Sequence, residues 1–219
     1  MWEGFLWAPR LHWPLMDVLK LDFLATASHY SELHEHGRQY VGLLADASLD
    51  PGSVFSRQEL RRAFTVLPDE ALVEAILTLI QVLEAAGEKK KECWEHKILS
   101  FWRFVWPKDR VLSCKGYGEK LAILAIVSGD AFPLAVETLL DYFHPVEYCH
   151  WMVSRLHEAK LCARFPQDSL TLLDKAISDR PDWIPKELAE CLEAIQTGWP
   201  QVIEDRRFQR ISVLARRAV

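Results

Sequence analysis

Hydrophobic positions recur every three or four residues through most of this chain, and the runs break at proline and glycine. The clearest run is Asp69 to Ala86. Leu72, Ile76, Ile80 and Leu83 share one face, Asp69 and Glu70 sit at the positive N-terminal end, and Gly87 is placed to cap the other. Upstream, residues 1–20 read as short helical pieces broken by Pro9 and Pro14. A helical run from Leu21 to Leu33 is set apart by Gly37 from a second, Arg38 to Ala47. Asp50-Pro51-Gly52 is a turn, and Ser56-Arg57-Gln58-Glu59 matches a capping box that opens a helix ending near Val66, before Pro68. Downstream, helices are expected from Glu88 to Val105, from Tyr117 to Ser128 with Gly129 closing it, and in two helix pairs over about 131–160 and 165–197. A terminal helix follows over 201–217. No alternating run is flanked by hairpin turns, so the expected fold is all-α with no sheet.

The two helix pairs share a written pattern. Phe132-Pro133 precedes Thr138-Leu139-Leu140-Asp141, and Phe165-Pro166 precedes Thr171-Leu172-Leu173-Asp174 at the same spacing, 33 residues later. Trp199-Pro200 is a degenerate third copy 34 residues on. A period in the low thirties is what stacked two-helix units produce. The proline opens a helix at its first turn, and the Leu-Leu pair falls on the buried face. The alternative is coincidence between two amphipathic helices that both begin with proline. The repeat reading makes the chain an array of antiparallel helix pairs, α-solenoid-like, with the right-handed stacking of HEAT or TPR arrays, in one domain over 1–219.

Composition narrows the picture. Half of the 219 residues are hydrophobic and 26% are charged, enough for a sizeable core. A net charge of −5 argues against a nucleic-acid-binding surface covering the whole domain. Cysteines 93, 114, 149, 162 and 191 are odd in number and show no CxxC spacing, which fits reduced thiols in a cytoplasmic protein. No apolar stretch approaches the roughly 20 residues that cross a bilayer, so no membrane partner is expected. Met1-Trp2-Glu3-Gly4-Phe5-Leu6-Trp7 begins on large aromatics with an acid where a signal peptide carries a base. Such a start is normally covered by preceding structure, so the chain reads as the C-terminal part of a longer protein, with Trp2, Phe5 and Trp7 as an interaction surface.

Candidate chemistry is thin. His29, His34 and His36 lie beside Glu32 and Glu35, but their spacing fits a solvated connector better than a zinc site, so no metal is expected. Cys149, His150, His157 and Cys162 could form a nucleophilic face. No orienting third group or oxyanion site is visible, and the neighbours Trp151, Met152, Val153 and Leu156 favour packing. Phosphate loops, GxSxG and HExxH are absent, so neither a cofactor nor a catalytic residue is expected. Trp94, Phe101, Trp102, Phe104 and Trp106 crowd together with Arg103, Lys108 and Arg110. Aromatics interleaved with bases suit single-stranded nucleic acid, but the helical spacing suits a core. The terminal helix sets Phe208, Ile211, Ala215 and Ala218 on one side and Arg206, Arg210 and Arg217 on another. This is either a solvated cap or a docking face.

Four stretches carry a resemblance over nearly the whole chain. They are Met1 to Trp7, Phe101-Trp102-Arg103-Phe104-Val105-Trp106-Pro107-Lys108-Asp109-Arg110, Ser128-Gly129-Asp130-Ala131-Phe132-Pro133, and Leu156 through Pro166. The chain resembles an uncharacterised helical region at the C-terminal end of larger bacterial sirtuin-like and predicted antiviral-defence proteins. The NAD-consuming or nucleotide-handling module of such proteins lies upstream, and none of its motifs are in this chain. The resemblance implies a scaffold or sensing role with no catalytic residue carried over. The leading expectation is a non-catalytic protein-interaction module whose partner is an upstream domain of the same polypeptide or another subunit. A nucleic-acid-binding array using Arg103, Lys108, Arg110 and the C-terminal arginines is the alternative. A hydrolase on the His150/His157 face stands third.

Overall fold

A computed structural model describes residues 20–110, 112, 116–146, 149–178 and 183–216. Among these residues every regular element is helical, and the one extended feature is a lone parallel bridge between Val146 and Ile177. The chain gathers into two compact units: 1–82 with 95–114, and 83–94 with 115–219.

In the first unit, helical residues 20–25 run into a 3-10 turn, Thr26–Glu32, where His29 leaves helical geometry at φ −112 and ψ 23. A second 3-10 turn, His34–His36, leads into α1, Gly37–Leu49. The expected helix from Leu21 to Leu33 is therefore split, and Gly37 opens α1 where separation was expected. Gly37 serves there because a Cβ would stand 3.0 Å from the Tyr30 ring. Phe23 fixes this end of the unit. Its ring lies 5.0 Å from Tyr40 and 5.3 Å from Phe55, and its carbonyl accepts the Tyr40 hydroxyl at 2.9 Å. α2, Arg57–Val66, opens on the expected capping box: Glu59 N–H donates to Ser56 Oγ at 3.3 Å, and Ser56 N–H donates to Glu59 Oε2 at 2.7 Å. α3, Asp69–Ala85, follows and carries the chain from the first unit into the second.

The expected helix from Glu88 to Val105 is composite. It runs as a 3-10 turn Gly87–Lys89, α4 Lys90–Cys93, a π turn Trp94–Ile98 and α5 Leu99–Phe104. A pattern of apolar positions cannot distinguish a wide turn from a normal one over so short a distance. Here the π turn leaves Glu95, His96 and Lys97 exposed while Trp94 and Ile98 are wholly buried. Phe101, Trp102 and Trp106 are buried as well, with Phe101 edge-on to Phe64 at 5.2 Å and Trp102 stacked on Trp106 at 4.5 Å. Phe104 departs from the core reading. It is half exposed and carries the Arg57 guanidinium 4.5 Å above its ring.

The second unit holds α6 Tyr117–Val127, α7 Phe132–Leu139, α8 His150–Glu158, α9 Leu161–Arg164, α10 Pro166–Ala176, α11 Glu187–Gly198 and α12 Arg206–Ala215. α10 packs against α6, α7, α11 and α12. The expected continuous helix over 201–217 is broken. A 3-10 turn Pro200–Glu204 stops at Asp205, whose carboxylate accepts the Arg207 N–H at 2.8 Å and caps a new helix. Residues 217–219 lie outside the described residues.

The duplicated pattern is matched in part, since Leu140 is half-buried at the start of a 3-10 turn, Leu140–Tyr142, while Leu173 is wholly buried within α10. α7 and α10 both carry proline in their first turn, and Leu139 and Leu172 are both completely buried. Thr138 donates to the carbonyl of Leu134 at 2.6 Å, and Thr171 does the same to Gln167 at 2.9 Å. The register also aligns Val136 with Ser169, which is completely buried and whose hydroxyl has no partner among the described residues. We therefore expect Leu139→Ala and Leu172→Ala each to destabilise the second unit by about 2–5 kcal/mol. Ser169→Val should be neutral or stabilising, because it removes a buried hydroxyl that makes no bond. Chemical denaturation checks both, and a costly Ser169→Val would show that the register is wrong.

The capping box generates a pH dependence. Desolvation alone would raise the Glu59 carboxyl, but hydrogen bonds from the Ser56 hydroxyl and N–H, together with Lys20, outweigh it and hold it below the ordinary value. A lowered folded pKa contributes stability that is present above the unfolded value and lost as pH falls through the folded one. The stability gap between wild type and Glu59→Gln should therefore be largest near neutrality and close as pH drops below the usual carboxylate range. A gap that stays constant between about pH 3 and pH 7 would contradict this.

Candidate functional site

The residues expected to form an interaction surface are dispersed, and several are already engaged. Trp2, Phe5, Trp7 and Arg217 lie outside the described residues. Arg206 is exposed, but Arg210 is turned inward. It donates to the Asp174 carboxylate at 3.1 Å and to the carbonyls of Asp174 at 2.8 Å and Ile177 at 3.2 Å. Arg207, which sequence reasoning passed over, reaches Thr171 Oγ1 at 3.1 Å. The apolar side of α12 fits the expectation, with Phe208, Ile211 and Ala215 buried, and Leu214 joins them. Of the three bases beside the aromatics, Arg103 and Lys108 are exposed. Arg110 is clamped onto the start of α3, bonded to the Leu67 carbonyl and to Asp69 Oδ1 at 2.6 Å.

The histidine and cysteine groups do not converge. His29 meets Glu32 at 3.2 Å, an exposed pair one turn apart, and His36 lies 3.8 Å from Glu35. Among the described residues no group of three His, Cys, Asp or Glu is placed to hold a metal ion. His157 pairs with Glu190 at 3.1 Å, while His150 is held between two indole rings. The Cys149 thiol is pushed up by burial. Cys191 is pushed far up, first by hydrogen bonding with the Cys162 thiol and then by burial. Both are therefore neutral thiols near neutral pH, whereas the thiolate is the nucleophilic form.

Two features that sequence reasoning missed stand out. The first is an aromatic cluster on the second unit. The His150 ring lies 4.8 Å from Trp151 and 5.3 Å, edge-on, from Trp183. Trp151 and Trp183 are 59% and 55% exposed, so these two indoles are spent on solvent rather than core. Trp151 had read as a packing position. The helix turns it outward because Met152, Val153 and Leu156 occupy the buried side. Trp183 lies too far along the chain for its nearness to His150 to be written locally.

The second is a hollow of about 420 Å³ in the first unit. The C-terminal half of α1 supplies Leu43, Asp46, Ala47 and Leu49; the turn after it adds Ser53 and Val54; Val82 comes from α3 and Lys97 from the π turn. A smaller hollow of about 190 Å³ shares Leu49, Asp50, Ser53 and Lys97, and adds Arg57, His96 and Ser100. Asp50 Oδ1 is spent on the turn, accepting the Gly52 N–H at 2.8 Å, and Ser53 Oγ accepts the Phe55 N–H at 3.3 Å. Asp46 is different: desolvation pushes its carboxyl above the ordinary value, and Lys97 pulls it partly back. An apolar cavity of this size with a few convergent polar groups is the common form of a small-ligand site, and π turns recur at such places.

Comparison with known proteins adds little chemistry. The chain is 27% identical over 178 residues to an uncharacterised protein, y4cA, of Sinorhizobium fredii. The matched region covers 77% of this chain and 15% of that protein, so the chain spans about a seventh of the relative's length. No protein-family model matches, and no solved structure matches. Among the described residues no single helix is long and apolar enough to cross a membrane.

The inward clamp of Arg210 can be measured directly. A double-mutant cycle with Arg210→Met and Asp174→Asn should give a coupling of about 1 kcal/mol, as expected for a half-buried, charge-assisted pair. Zero coupling, with neither single variant destabilised, would return Arg210 to the solvent face.

Proposed function

We propose that this chain is a non-catalytic helical module that docks another protein through the second unit, within a larger bacterial protein. The observation that carries this reading is the Trp151–His150–Trp183 cluster. Exposed indoles fixed by ring contacts are the side chains that most often anchor protein interfaces, because they supply large contact area at little cost in conformational freedom. The partner is an upstream domain of the same polypeptide or another subunit.

In this reading the helix pairs over 131–160 and 165–197 stack as a short right-handed solenoid of the HEAT or TPR kind, closed by α12. Support comes from the shared register of α7 and α10 and from the contact of Phe132 with Phe165, ring centres 6.1 Å apart. The larger setting is supported by the length of the Sinorhizobium fredii relative. Placement in a sirtuin-like or antiviral-defence protein rests on the sequence resemblance alone. Cytoplasmic location is part of the proposal and agrees with Cys149, Cys162 and Cys191 standing as thiols outside any disulfide.

Site-specific photocrosslinking tests the docking surface. With a benzophenone side chain in place of Trp151, in the native host, we expect a discrete protein adduct whose yield falls at least about tenfold when Trp183→Ser is added. A control at the exposed Lys175 should give none. No discrete adduct, or equal yield from both positions, would overturn the reading. Recovery of nucleic acid at Trp151 would favour the nucleic-acid alternative over the protein one.

A further inference from the structure

We propose that the hollow beside α1 is a binding site for a small apolar zwitterion of the α-amino-acid class, its ammonium held by Asp46 and its carboxylate by Lys97. The site lies in the first unit, so the inference stands apart from the aromatic docking surface of the second.

Charge sets this hollow apart. Asp46 and Lys97 line the same cavity and act on each other electrostatically, yet among the described residues they close no ion pair with each other. Among the described residues the Asp46 carboxylate accepts no hydrogen bond, its backbone carbonyl alone being used, by the Asp50 N–H at 3.1 Å. Opposite charges that share a cavity without meeting are left to water, and a ligand carrying both complements can take the place of that water. The neighbouring polar groups are otherwise occupied, since Asp50 and Ser53 build the turn. The rest of the wall is aliphatic: Leu43, Ala47, Leu49, Val54 and Val82.

The surroundings favour a ligand that carries both charges. A lone anion drawn to Lys97 meets the carboxylates of Asp46 and Asp50, and a lone cation drawn to Asp46 meets Lys97, with Arg57 lining the adjoining hollow. A zwitterion places each charge against its complement. An attached aliphatic side chain then covers the apolar wall, which is the larger part of the gain for a ligand of this size. The volume, about 420 Å³, lies within the usual range of about 300–1,000 Å³ for small-molecule sites.

The test is calorimetric titration of the full chain with leucine at low salt, beside two half-ligands: 3-methylbutylamine, which lacks the carboxylate, and 4-methylpentanoate, which lacks the ammonium. Leucine should bind saturably and at least about tenfold more tightly than either half, as one charge-assisted contact requires. Asp46→Asn should erase the advantage over 4-methylpentanoate, and Lys97→Met the advantage over 3-methylbutylamine. Both side chains are exposed, so the variants should melt with the wild type, which a thermal scan verifies. No saturable leucine binding up to about 10 mM would overturn the proposal. So would equal binding of all three compounds, or discrimination that survives both substitutions.

Discussion

The second unit depends on closing the C-terminal end of α10. That helix is covered by α6, α7, α11 and α12, and Ser169, Leu170, Leu172, Leu173 and Ala176 are all buried. A helix end leaves its last carbonyls without intrahelical donors, and a covered end cannot hand them to water. At Ile177 the backbone turns extended, at φ −90 and ψ 119, and the carbonyls are then taken one by one. Arg210 serves those of Asp174 and Ile177, and the Val146 N–H serves that of Ala176 at 2.8 Å. The lone bridge and the half-buried arginine thus answer one requirement from opposite sides.

This requirement explains why the basic face of α12 is not a free surface. Its helix starts at a capping aspartate that also grips Arg207, and one turn later Arg210 reaches across to α10. Arg110 does similar work in the first unit, where its guanidinium serves the Leu67 carbonyl at the C-terminal end of α2 and pairs with the Asp69 carboxylate. In both places an arginine that reads as a ligand contact completes a helix end. The planar fork of donors is suited to this, since one side chain can serve a carboxylate and neighbouring carbonyls together.

Features written within one turn of helix were legible in the sequence. The Ser56–Glu59 box, the glycine ends of α3 and α6, and the prolines opening α7 and α10 all follow from spacing of three or four residues. Wherever the outcome depended on partners far apart in the chain, periodicity alone misplaced it. Arg210 had to be matched with Asp174, Arg110 with Leu67, and Trp183 with His150. The π turn at Trp94 and the break at Asp205 escaped for another reason. An amphipathic pattern records which side is apolar, and a turn slightly wider or tighter than 3.6 residues barely alters it over five positions. The hollow was invisible for both reasons, being built from α1, a turn, α3 and that same π turn.

The fold uses some of its polar and aromatic groups and leaves others open. Cys149 and Cys191 are kept as neutral thiols, His157 has Glu190, and Arg207 has Asp205 and Thr171, so each is satisfied from within. The buried Ser169 hydroxyl is unused, but it is sealed in the core where no ligand reaches it. Asp46 and Lys97, and Trp151 and Trp183, are of a third kind: they face solvent or a cavity, and the contacts described for them leave a charge or a ring face unspent. Desolvation of Asp46 opposes its own ionisation, and Lys97 offsets it in part. Groups of this third kind, one pair in each unit, are those to which the two proposed ligands are assigned.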